Sequence, residues 1–253
     1  MDRLDRERQF HDQRFRDHDQ DVRESVSKFY SVYVLNTACR DKLLSHHAPG
    51  ADVLEYGCAT GQEALRWAHA GARVKGVDIS GEAVRIANER AQHEQLPAQF
   101  FVMNAEQLDF AGASFDVVFG EGILHHLELR KAYAEIARVL KPGGRAIFVE
   151  PLGHNPVFNF FRRRTPMLRT SDEHPLLMRD LKLMRSFFDE VNVRFFHLIT
   201  LAAVPLRNTA LFKPVLNVLH GLDRALMTVI PPLRAWAWIA VIEMVGPRRA
   251  GSR

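Results

Sequence analysis

Cysteine is nearly absent from this chain: Cys39 and Cys58 are the only two in 253 residues. No disulfide framework can be built from them, and a reducing, cytoplasmic setting is expected. Also missing is any uninterrupted apolar run of the roughly 18 residues that a membrane-spanning helix needs. The stretch Met1 to Phe10 has no apolar core of the signal-peptide kind. Neither sign of charge dominates, with 34 Lys and Arg against 30 Asp and Glu. That near-balance and the lack of a recognised binding module leave nucleic acid without support as a partner. At 47% apolar and 25% charged residues, disorder, collagen and coiled coil are excluded as overall classes.

What is present is alternation. Short apolar segments at Asp52–Tyr56, Arg73–Asp78, Gln99–Met103, Phe115–Phe119 and Arg145–Glu150 read as strands. Between them Gln62–Ala70, Ser80–Gln95 and Leu129–Leu140 carry helical spacing, with Gly71 and Lys141-Pro-Gly-Gly144 as stops. Short buried strands alternating with helices specify an α/β fold, a doubly wound and mostly parallel sheet. Val191–Leu198 and Trp236–Val245 add strands six and seven. Residues 1–48 read as a charged, exposed N-terminal helical arm or cap, and 49–253 as the main domain. Ile199–Leu233 is a helical insertion before the last strand, with Leu211, Val215, Val218, Leu219, Leu222, Leu226 and Ile230 at helical intervals. From Arg194 onward there are eight Lys or Arg and two acids, Asp223 and Glu243. An apolar stretch on a basic background suits a lid, a substrate pocket, a homodimer face or shallow contact with a membrane.

The first strand contains Glu55 and leads through Gly57-Cys-Ala-Thr-Gly61 into a helix. Glycines there let backbone pass under a ligand without a Cβ in the way, and the helix start offers free N–H groups. Asp78 ends the second strand, 21 residues after Gly57. An acid at that place accepts hydrogen bonds from ribose hydroxyls in doubly wound folds.

Val53-Leu-Glu-Tyr-Gly-Cys-Ala-Thr-Gly61 resembles the nucleotide motif of class I S-adenosylmethionine-dependent methyltransferases. Val77-Asp78, Asn104-Ala-Glu106, Ser114–Phe119, Leu124-His-His-Leu127 and Arg138–Gly144 follow in the family's order. The look is nearest to the ubiquinone and menaquinone methyltransferase group, and the likeness spans about residues 50–150. It implies a Rossmann-like, seven-stranded methyltransferase fold with S-adenosylmethionine as cofactor and a small, partly apolar acceptor. It places Glu55, Gly57 and Gly61 near the methionine part, with Cys58 as a small filler. Asp78 would hold the ribose and Ile79 the adenine face. Asn104, where the family often has Asp, would approach the adenine with Ala105 and Glu106, and Gly120 and Glu121 would flank the sulfur.

Methyl transfer needs alignment first and a base only where the nucleophile must lose a proton. His125, His126, His154 and Glu121 are the candidates, all beyond strand ends. Asp172-Glu-His174 reads as a loop or substrate contact, and Arg162-Arg-Arg164 as a basic face. No Cys, His or Asp set has close ligand spacing, so no metal is expected. Two other readings remain at this level: a cofactor-binding module without turnover, and a nicotinamide-dependent oxidoreductase. The second would need a Gly-x-Gly-x-x-Gly run that Gly57–Gln62 lacks.

Overall fold

A computed structural model describes residues 3–16, 27–164 and 173–248. Seven strands form one sheet: β1 (Asp52–Tyr56), β2 (Arg73–Asp78), β3 (Ala98–Val102), β4 (Phe115–Glu121), β5 (Leu140–Pro151), β6 (Phe188–Phe196) and β7 (Ile239–Pro247). Their order is β3-β2-β1-β4-β5-β7-β6. The first five run parallel, and β7 lies antiparallel between β5 and β6. The order reverses between β1 and β4, so a crevice opens beyond their C-terminal ends, the usual ligand position in such sheets.

The central strands are apolar on both faces because helices cover both. Leu54, Tyr56, Val118 and Phe148 face one cluster, and Val53, Val117, Phe119 and Ile147 the other. The helices are α1 (Arg3–Arg16), α2 (Val34–Ser45), α3 (Gln62–His69), α4 (Gly81–His93), α5 (Leu129–Val139), α6 (Pro156–Arg164), α7 (Met178–Leu183) and α8 (Phe212–Val229). Ser80 caps α4 by accepting the Ala83 N–H. In α5 the residues Leu129, Ala132, Tyr133, Ile136 and Ala137 are buried at the spacing of one helical face.

Three sequence readings change in detail. The second half of the 1–48 helical arm is not continuous α-helix but a 3₁₀ segment, Lys28–Tyr33, followed by α2. Strand β5 begins at Leu140, so the Lys-Pro-Gly-Gly stop lies inside the strand, where the register with β4 shifts. The charged N-terminal segment is not an exposed arm over 3–16. Glu7 is only 4% exposed, because the helix packs its Leu4, Glu7, His11 and Phe15 face against the strand ends. The rest of that arm reading, 17–26, and the loop 165–172 lie outside the described residues.

The insertion returns as α8 between two 3₁₀ segments, Thr200–Leu206 and Pro231–Trp236. It is tied down by Asp223, whose carboxylate accepts the Leu198 and Ile199 N–H groups at 3.0 and 2.8 Å. Beside it His197 is fully buried, 2.8 Å from Thr200 Oγ1 and 2.8 Å from the Asn36 amide. Burial, and His220 nearby, pull its pKa from 6.5 down to about 3. The folded protein therefore holds His197 neutral down to about pH 3, while the unfolded chain protonates it below pH 6.5. Stability is full above pH 6.5 and is lost progressively as pH falls from 6.5 toward 3. Urea midpoints measured across that range should fall with acid in the native chain, and the slope should flatten in His197→Gln.

Candidate active site

The loop after β1 is held down by main-chain bonds. Val77 O accepts both the Gly57 and the Cys58 N–H at 2.9 Å. Asp78 Oδ2 accepts the Ala59 N–H at 2.8 Å, and its Oδ1 accepts the Ser80 N–H at 2.9 Å. Gly57 has φ +69°, and a Cβ there would stand 2.9 Å from the Ile123 side chain. Glycine is required on both counts. Beyond the loop lies a cavity of about 180 Å³. Gly57, Asp78, Ile79, Asn104, Ala105, Glu121 and His126 line it. These seven come from the ends of four strands and the turn after β4.

The other sequence candidates do not line it. Glu55 is 7% exposed, and its carboxylate accepts the Ala64 N–H at 2.9 Å. Burial pushes its pKa well up. Its place is under the start of α3 rather than against a ligand. Cys58 is buried, and burial raises its thiol pKa well above the ordinary range, so it is a filler and no nucleophile. Gly61 and Gly120 are packing positions: a Cβ at Gly61 would meet Phe100 at 2.8 Å and one at Gly120 would meet Tyr56 O at 2.7 Å. Glu106 turns away from the cavity to pair with Arg3 and to accept the Glu128 N–H at 2.8 Å. Asn104 Oδ1 accepts the Glu106 N–H at 2.9 Å, leaving its amide N–H₂ for a ligand.

The histidines separate. His125 is buried, with Nδ1 2.7 Å from Glu150 Oε2. Glu150 is fully buried, and its other oxygen accepts the Ile123 and Leu124 N–H at 2.9 and 2.8 Å. A carboxylate so fixed holds the Nδ1–H tautomer and leaves Nε2 basic; Nε2 lies 3.6 Å from Glu173. His126 faces the cavity. Burial lowers its pKa, but the Glu7 carboxylate beside the ring and the charges of Glu173 and Glu150 outweigh that, and the net shift is upward. His154 is exposed, and its Nε2 already accepts the Met178 N–H at 3.0 Å. Of the Asp172–His174 group, Asp172 lies outside the described residues, and Glu173 is bound by Arg162 at 2.9 Å.

Two sets of residues escaped the sequence reading. Arg3, Leu4, Glu7, His11 and Phe15 of α1 form one wall of the cavity. Their helical spacing was visible, but the surrounding charges masked it. Arg40 of α2 is 2% exposed and binds Glu121 and Glu63, the latter at 2.7 Å. Partial withdrawal from water raises the Glu121 pKa, and Arg40 opposes the rise. No local pattern marks a buried arginine whose partners lie 23 and 81 positions away.

The donor set suits a cationic nucleoside. Asp78 presents a carboxylate for a diol, Ile79 and Met103 an apolar face for a base, and Glu121 a negative charge where a sulfonium would sit. Residues 54–148 match the model of a methyltransferase domain. The 27-O-demethylrifamycin SV methyltransferase of Amycolatopsis mediterranei is 39% identical over 100 residues, covering 38% of this chain and 37% of that protein. The ubiquinone biosynthesis O-methyltransferase of Rhizobium etli is 31% identical over 123 residues, 47% of this chain and 49% of that one. The chain thus spans less than half the length of these relatives. Among solved structures, phosphoethanolamine N-methyltransferase 2 of Haemonchus contortus superposes with a TM-score of 0.63 at 18% identity, covering 92% of this chain and 59% of that one. At that identity the likeness speaks for the fold.

Asp78→Ala should weaken binding of S-adenosylhomocysteine by ~1.5–3 kcal/mol, the scale of a lost charged hydrogen bond. Isothermal calorimetry measures it, and unchanged affinity would remove Asp78 from the ribose role.

Proposed function

We propose that this chain, a class I S-adenosylmethionine-dependent methyltransferase by its residues 54–148, moves a methyl group onto a small, partly apolar acceptor. One observation carries the reading: Asp78, Asn104 and Glu121 converge on a single cavity at the sheet's switch point. The bound cofactor supplies an electrophilic methyl on a sulfonium. The protein's part is alignment and charge. Asp78 takes the ribose hydroxyls and Ile79 packs on the base. Asn104 donates to the adenine ring. Glu121, steadied by Arg40, offsets the sulfonium charge. The nicotinamide alternative loses its ground with the family assignment.

Where the acceptor carries a proton, His126 and Glu121 are the candidate bases on the cavity wall, while His125 stands behind it with its ring held by Glu150. Calorimetry with S-adenosylhomocysteine, with NADH as control, tests the cofactor. Labelled methyl transfer into extracts then tests turnover. His126→Ala should cut turnover about 10²–10⁴-fold with cofactor affinity within about threefold. Wild-type turnover in that variant would move the base role to Glu121.

The acceptor's apolar character is supported by the insertion. Leu211, Val218, Leu222, Val229 and Ile230 are exposed along or just beyond α8. Val157, Phe160 and Phe161 of α6 are exposed as well, and Phe161 meets Phe29 edge-on at 5.9 Å. Arg207, Lys213, Arg224 and Arg234 surround the α8 face, and Asp223, the one acid within 199–238, is buried. Among the described residues no helix is long and apolar enough to cross a membrane. Apolar side chains in a cationic rim suit an anionic lipid surface instead. Sedimentation should bring the protein down with vesicles containing phosphatidylserine and not with neutral phosphatidylcholine vesicles, and Leu222→Glu should reduce the bound fraction. No vesicle binding together with a dimer in analytical ultracentrifugation would assign the face to a second copy.

A further inference from the structure

Glu7 and His11 lie one turn apart on the same face of α1. His126, in the turn after β4, meets them across the cavity. Glu7 Oε2 is 3.4 Å from His11 Nε2 and 3.3 Å from His126 Nδ1. The three ligand atoms lie within 4.8 Å of one another. His126 Nδ1 is buried and makes no well-formed hydrogen bond. All three side chains line the cavity, and the Glu7 side chain is 5% exposed.

These separations are long for charge-assisted hydrogen bonds, which run about 2.7–2.9 Å. They match the edge of a tetrahedron whose centre lies about 2.0–2.1 Å from each corner, the bond length of zinc to nitrogen and oxygen, for which the edge is about 3.3–3.4 Å. We infer that Glu7, His11 and His126 form a binding site for a divalent ion of the zinc class, which clasps α1 onto the turn after β4. Two imidazoles and one carboxylate are a borderline ligand set that favours such an ion over magnesium or calcium. The fourth position opens on the cavity.

Among the described residues the other histidine–carboxylate group, His125, His126 and Glu173, is a poorer cage. The Arg162 guanidinium already holds Glu173, and Glu150 holds His125 Nδ1. No ligand spacing marks this site along the chain, because His126 is 115 positions from His11. The clasp has a consequence for the cavity. Helix α1 supplies Arg3, Leu4 and Phe15 to its wall, and a contact of 2.6 Å from Ser80 Oγ to Asp12 is among its other ties. An ion that fixes α1 favours the closed wall, so ion and cofactor should strengthen each other's binding.

The test uses the untagged full chain, stripped with a chelator. It is titrated with Zn²⁺ by calorimetry and with Co²⁺ by visible absorption, with no cofactor present. One ion per chain is expected, with the strong visible bands of tetrahedral cobalt. His11→Ala and Glu7→Gln should each weaken Zn²⁺ binding at least ~10–100-fold. They should also lose the Zn²⁺-induced rise in melting temperature. Glu7→Gln keeps the shape of the side chain and decides the matter should His11→Ala fail to fold. No stoichiometric ion in the native chain, or undiminished affinity in a folded variant, would overturn the site. Because no cofactor is present, ion binding without S-adenosylhomocysteine binding would leave the clasp standing and remove the methyl-transfer reading, and the reverse result would do the opposite.

Discussion

Val77 O receives two consecutive N–H groups from the neighbouring loop, and the Asp78 carboxylate receives the next. That small set of bonds fixes where the chain turns between β1 and α3. It forces Gly57 into the left-handed region with Ile123 at its back. With the loop pinned to the end of β2, Gly57, the Asp78 carboxylate and the turn after β4 face one space. Shift the loop and the cavity loses its floor and one wall together.

The second constraint is charge at low exposure. Glu55, Glu150 and Arg40 are all under 9% exposed at the C-terminal edge of the sheet. Isolated charges there would cost several kcal/mol each. Each is instead bonded: Glu55 to the Ala64 N–H, Glu150 to two N–H groups and His125, Arg40 to Glu63, Asp41 and Glu121. These bonds position the groups that face the cavity. Arg40 steadies Glu121, and Glu150 sets the tautomer of His125. Polar groups set among apolar strands mark the edge where ligand chemistry takes place.

Much of the fold was legible in order and kind. The central strands are buried on both faces, so they read as short apolar runs, and glycine and proline punctuate them. The boundaries slipped where a local signal competed with a longer-range one. Lys141-Pro-Gly-Gly144 is a stop by composition, yet pairing with β4 and β7 draws the surrounding chain into β5. Within the site, Gly57, Asp78, Ile79, Asn104 and Ala105 follow strands β1 to β3 and could be located by position along the chain. Glu55 and Glu106 stand at comparable positions, but their carboxylates turn to backbone N–H groups and Arg3. Sequence spacing does not reveal which way a side chain points.

The sequence alone determined the doubly wound sheet and the positions of the glycine loop after β1 and of Asp78, because those depend on residues within one strand–turn–helix unit. Only the tertiary structure decided that α1 walls the cavity, that Arg40 holds Glu121, and which histidine faces a carboxylate and which faces the cavity. The Arg40–Glu121 and Arg3–His126 pairings join residues 81 and 123 positions apart in the chain, and His125 and Glu150 are 25 apart. The partners meet only after the sheet has formed and its helices have packed, so no local periodicity carries them.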